Sequence, residues 1–141
     1  MAVEPVSPED YAALLNLMGT YQHLVDDGDE DGWADLFTED GAFIGFPEEQ
    51  VPGGGYHGRE ALKQVPRMNI AQGGGRFRHN LCSFGARYGA SRDEAHARYY
   101  MIGTASPPGA ATVVAMQVDV RCHLVRIDGV WKIKANRWAM L

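Results

Sequence analysis

Tyr21-Gln22-His23-Leu24-Val25-Asp26-Asp27-Gly28-Asp29 reads as the end of an amphipathic helix that runs into an acidic turn. Upstream, Ser7-Pro8-Glu9-Asp10 has the form of a helix start: Ser7 as N-cap, Pro8 at the first helical position, Asp10 as the acid of a capping box. Between them Tyr11, Leu14, Leu15, Met18, Tyr21 and Val25 fall on one helical face. Gly28 supplies the stop. At about 100° per residue Asp26 lies beside Leu15 and Met18, at the margin of the apolar face. Asp27, Asp29, Glu30 and Asp31 fall into the following turn and read as solvated. A carboxylate at the edge of an apolar face is costly unless a partner uses it. Asp26 is therefore the acid that needs an explanation.

Working outward, Trp33, Leu36 and Phe37 mark a short second helix, Thr38 to Gly41 a turn, and Ala42 to Phe46 a strand. A glycine-rich loop from Pro47 to Gly55 follows. A third helix starts at Gly58-Arg59-Glu60, with Pro66 limiting or kinking it. From Arg76 the pattern turns extended, with strands predicted at about 76–88, 94–105, 111–127 and 130–139. Asp128-Gly129 is a two-residue hairpin signal. Helices first and a meander second give an α+β chain: helices packed on a strongly curved, mainly antiparallel sheet, leaving a cone-like cavity. One domain, 1–141, with residues 1–6 as a loose leader, accounts for the pattern.

Alternation then nominates cavity residues. Phe77, His79 and Leu81 share one face. So do Met116, Val118, Val120, Cys122 and Leu124. On the last strand the same count groups Trp131, Ile133, Ala135 and Arg137. His79, like Asp26, travels among apolar neighbours. An Asp–His pair with no Ser or Cys nucleophile beside it suits proton abstraction, the carboxylate fixing the imidazole tautomer. Tyr21 and Arg137 are candidate substrate-binding groups, with Phe77, Val120 and Cys122 as wall. Asn80 points away from His79. His23 reads as solvated, and His57 sits in the glycine-flanked loop near the cavity mouth.

Composition bounds the alternatives. The 141 residues are 45% hydrophobic and 22% charged, with a net charge of -5 from 18 acids and 13 bases. That balance argues against a nucleic-acid surface. No apolar run is long enough for a bilayer, and Met1 to Pro5 lacks a signal-peptide pattern, so a cytoplasmic location is expected. Cys82 and Cys122 read as free thiols, and no Cys/His spacing resembles a zinc site, so no metal or cofactor is expected.

The ordered set Leu24-Val25-Asp26-Asp27-Gly28-Asp29, Trp33 to Gly41, Tyr56 to Leu62, Arg78-His79-Asn80-Leu81 and Leu124 to Ile133 resembles the SnoaL-like branch of the nuclear transport factor 2-like superfamily. The resemblance implies a cystatin-like α+β barrel with a conical cavity. It most resembles the pattern of scytalone dehydratase and hexachlorocyclohexane dehydrochlorinase, where a histidine base is oriented by an aspartate from the end of the first helix. Asp26 and His79 match those two positions, and Arg137 is a weaker match to the dehydrochlorinase arginine. The second histidine of scytalone dehydratase has no clear counterpart; His96 alternates with Tyr100 and Ile102. The implied function is a cofactor-independent lyase or isomerase acting on a small, mostly apolar ligand, aromatic or polycyclic. A non-catalytic binding or assembly module and the small subunit of a ring-hydroxylating dioxygenase are the alternatives. The resemblance also implies a homodimer, or a trimer, that buries the convex face of the sheet, on which alternating apolar residues are expected.

Overall fold

A computed structural model describes residues 4–141. Helix α1 spans Pro8–Asp27, α2 Glu30–Ala34 and α3 Arg59–Gly73; strands are β1 Phe37–Ile44, β2 Gly55–His57, β3 Phe77–Tyr88, β4 Glu94–Ala105, β5 Val113–Ile127 and β6 Val130–Met140. The strands form one mixed sheet in the order β2-β1-β6-β5-β4-β3. All neighbours are antiparallel except β1 and β6, which run parallel. The class is α+β as expected, and the sheet is open, with β2 and β3 as its edges.

The sheet is nevertheless strongly curled. Helix α3 touches β1 and β2 at one edge and β3 at the other. The ring of His79 on β3 is 6.4 Å from that of Trp138 on β6. Those strands are three positions apart, about 14 Å in a flat sheet. The curl brings their side chains together on the concave face, and α1 and α3 cover it.

Local chemistry sets the elements. Ser7 caps α1 by accepting the Asp10 amide at 3.1 Å. The helix ends in a Schellman motif: the amide of Asp29 reaches the Leu24 carbonyl at 3.0 Å, and Gly28 (φ 73°) bonds to Val25 at 3.3 Å. Gly28 also admits α3, because a Cβ there would lie 2.5 Å from Ile70 Cγ1. The core joins Leu14, Met18, Tyr21 and Val25 of α1 to Ala97, Tyr99 and Met101 of β4 and to Val118, Val120 and Leu124 of β5. Trp33, fully buried, packs tilted against Tyr21 and Phe37 at 5.1 and 4.8 Å and edge-on to Phe43 at 6.0 Å. Asp29 caps α2 through the Gly32 amide. Glu30 and Asp31 then pair with Arg67, Lys63 and Arg59 of α3. These are exposed ion pairs, each worth about 0–1 kcal/mol.

Several expectations are corrected. Asp10 closes no capping box; its carboxylate turns inward to Tyr88, Arg126 and Trp131. Thr38 to Gly41 is an irregular part of β1, whose register against β6 shifts between Phe37 and Ala42. Helix α3 continues past Pro66, which is buried. Residues 4–6 are docked: Pro5 bridges Arg87, and the Tyr88 amide bonds to the Glu4 carbonyl; the first three residues of the expected leader lie outside the described part. The convex face is not an apolar stripe. Arg98 forms a two-bond pair with Asp119 there, with Arg121 alongside.

Candidate active site

Asp26 occupies the last turn of α1 and is buried despite its charge. Its Oδ1 lies 2.5 Å from His79 Nδ1, and its Oδ2 accepts the backbone amide of His79 at 3.1 Å. One carboxylate thus grips the same residue twice, by ring and by main chain. The His79 and Asp26 side chains are only 7% and 6% exposed. Because Nδ1–H donates to a carboxylate, the neutral imidazole carries its lone pair on Nε2. His79 borders the cavity, and among the described residues its Nε2 has no hydrogen-bond partner.

That cavity has a volume of about 320 Å³ and lies between α1, α3 and the curled sheet. Its walls are Phe43, Phe46, Phe77, Trp138, Val25, Val65, Met68 and Met116, with Tyr21, Tyr56, Asn69, Gln72 and His79 as the polar groups. Phe43, Phe46 and Trp138 pack edge-on or tilted at 4.9–5.9 Å. The result is an apolar chamber with few polar groups, the usual character of a small-molecule site. Tyr21 is buried, and this pushes its phenol well above the ordinary range, with Tyr99 and Cys122 adding to the effect. Burial also raises Tyr56, whose hydroxyl has, among the described residues, only the Met68 sulfur as partner at 3.7 Å. Both phenols are therefore protonated donors at neutral pH. The Asn69 amide is held by the Val25 carbonyl.

The nominated residues divide into three groups. Asp26, His79, Tyr21 and Phe77 gather at or just behind the cavity. Val120 and Cys122 do face inward, but they are sealed in the packed core and do not border the cavity. Burial raises the Cys122 thiol far above its usual range, which leaves it without nucleophilic character. Arg137 is excluded from the cavity: it is exposed, paired with Arg121 across the sheet. The cause is a bulge. His123 pairs with Ala135 and Leu124 with Ile133, so Lys134 is an extra residue. Beyond it Asn136 and Trp138, not Ala135 and Arg137, point inward. His57, at the end of β2, bonds to the Gly53 carbonyl and does not border the cavity. Asn80 faces away, toward Ile102 and Thr104. Sequence reasoning missed Trp138, Tyr56, Asn69 and Gln72. For Tyr56 the only signal was its place in the Tyr56-His57-Gly58 stretch.

Helices laid into a curled mixed sheet around one apolar chamber define a cystatin-like, nuclear transport factor 2-like protein. The chain belongs to the SnoaL-like domain family, whose model matches residues 7–137. Solved structures of the same shape include Aln2 from a Streptomyces species, with a TM-score of 0.83 and 23% identity over 97% of this chain and 94% of that one. A Nostoc punctiforme protein of unknown function with a cystatin-like fold superposes with a TM-score of 0.79 and 19% identity, covering 97% and 95%. A Novosphingobium aromaticivorans protein proposed to be a scytalone dehydratase gives 0.74 and 20%, covering 94% and 84%. At such identities the likeness carries the fold alone. A comparison with curated proteins returned no match. Among the described residues no helix is long and apolar enough to cross a membrane.

Proposed function

We propose that the chain is a cofactor-independent lyase or isomerase, with His79 as general base and Asp26 as the group that orients it. The observation that carries this reading is the 2.5 Å Asp26–His79 contact at the wall of an apolar chamber. His79 Nε2 removes a proton from a carbon made acidic by a neighbouring carbonyl, and Asp26 stabilises the imidazolium that forms. Tyr56 or Tyr21 donates a hydrogen bond to the oxygen on which charge develops, or to a departing hydroxyl. The imidazolium then returns its proton to the substrate in an isomerisation, or to the leaving group in an elimination. The aromatic walls select a flat, mostly apolar compound, and 320 Å³ suits a small aromatic or bicyclic one.

The test is a panel of small aromatic and bicyclic ketones and β-hydroxy ketones incubated with the chain in D₂O and followed by mass spectrometry. Deuterium incorporation or loss of water by the wild type, absent in His79→Gln, supports the reading. A ligand that binds in the chamber and exchanges nothing, with His79→Gln indistinguishable from wild type, would leave a binding module instead. A homodimer is part of the proposal. Val113, Val114, Met140 and Leu141 are well exposed at the ends of β5 and β6, and such a patch favours association. Sedimentation velocity giving a monomer at micromolar concentration would refute that part alone.

A further inference from the structure

Glu94 and His96 on β4 and His123 on β5 project from the convex side of the sheet, opposite the chamber. The intervening Ala95 and Ala97 point into the core, which fixes the outward facing of their neighbours. His96 and His123 are direct partners across the two strands, and their rings stack at 4.8 Å with 12° between planes. Glu94 lies two residues along on the same face. Its Oε1 is 3.2 Å from Nε2 of His96 and 3.2 Å from Nε2 of His123. All three side chains are half-buried. We propose that Glu94, His96 and His123 form a binding site for a divalent transition-metal ion, distinct from the catalytic chamber.

The donor set selects the class of ion. Two imidazoles and one carboxylate suit zinc, cobalt or nickel and suit magnesium or calcium poorly. Spacing agrees. Ligands held about 2.0–2.1 Å from one ion sit about 2.9–3.4 Å apart, tetrahedral or octahedral. The two Glu94–histidine separations already fall in that range, and the three donor atoms all lie within 4.8 Å of one another. An ion would bridge the two Nε2 lone pairs and the carboxylate after both nitrogens lose their protons. The β4–β5 pairing holds the three residues side by side on central strands, and the stacked rings must turn for the two in-plane lone pairs to converge on one ion.

Two features limit the affinity. Neither Nδ1 finds a hydrogen-bond partner among the described residues, so the outer partner that strengthens a histidine ligand is missing. Arg87, opposite His96 on β3, is exposed and adds positive charge nearby. With three protein ligands, the remaining coordination positions are left to water. Sequence spacing hid the site, because His96 and His123 lie 27 positions apart and only the β4–β5 register joins them.

The test is calorimetric titration of the full, tag-free, chelator-treated chain with zinc chloride, and visible absorption with cobalt(II). The expected result is one saturable site per chain, weakened about tenfold or more in His96→Gln and in His123→Gln. The His23→Ala and His57→Ala controls should bind as wild type. Thermal unfolding with and without zinc gives a second readout, since binding should raise Tm in the wild type and not in His123→Gln. Zinc binding that is undetectable, or that survives both His96→Gln and His123→Gln, overturns the proposal. So does loss in the His23 or His57 variant alone.

Discussion

The double grip of Asp26 on His79 makes a prediction that needs no substrate. Both carboxylate oxygens accept, one from Nδ1–H and one from the backbone amide. Asparagine has one acceptor oxygen, so in Asp26→Asn either the ring or the amide faces an NH₂ group. Imidazole ¹⁵N shifts should therefore show the Nδ1–H tautomer of His79 in the wild type and a changed or mixed state in Asp26→Asn. On any substrate found, Asp26→Asn should lower kcat by roughly 10²–10⁴-fold, the usual worth of an oriented base. Tyr56→Phe should lower kcat by about tenfold, with less effect on KM, if its hydroxyl meets developing charge. Helical angle and strand alternation placed Asp26 and His79 among apolar neighbours, and the resemblance to the dehydratase and dehydrochlorinase pattern is what joined them as a pair. Tyr56, Asn69 and Gln72 were not legible, since their facing depends on how β2 and α3 close over the chamber.

At the scale of the element, β6 shows how one residue redirects a strand. The bulge at Lys134 turns Arg137 to solvent and Trp138 into the chamber. Period-two counting has no way to see an inserted residue, so every position past it was assigned to the wrong face. Arg137→Ala should leave activity within about twofold of wild type, whereas Trp138→Ala, losing a half-buried aromatic wall, should weaken ligand binding by about 1–3 kcal/mol in a calorimetric titration. Gly45 belongs to the same region. It adopts φ 107°, and a Cβ there would lie 2.1 Å from the Trp138 carbonyl oxygen. Gly45→Ala should thus destabilise the β1–β6 junction by more than about 1 kcal/mol, measured as a lower denaturation midpoint.

Across the whole molecule, Asp10 ties the start of the chain to its end. It accepts hydrogen bonds from Tyr88 of β3, Arg126 of β5 and Trp131 of β6, the last two at 2.7 and 3.3 Å. Burial alone would raise its pKa, but the Tyr88 and Trp131 hydrogen bonds and the Arg126 guanidinium outweigh that and hold the carboxyl below its ordinary value. A depressed carboxyl contributes stability that is present above the unfolded value, about 3.9, and is lost as pH falls through the folded value. Asp10→Asn should cost about 3 kcal/mol at neutral pH, and the gap from wild type should narrow as pH falls below about 4. Urea unfolding at several pH values measures both. None of this hub was visible in the sequence, where Asp10 passed for a capping residue, because its partners lie up to 121 positions away.

The same long-range closure produces the chamber in which, on the proposed function, a proton leaves carbon for His79 Nε2. The most direct measurement is the rate of deuterium exchange at the acidic carbon of a ketone bound in the chamber, in wild type and His79→Gln, with the dissociation constant measured alongside. Exchange in the wild type that falls by at least about 10²-fold in His79→Gln, while binding stays within a few fold, is the predicted result. Wild-type exchange that persists unchanged in His79→Gln would contradict it.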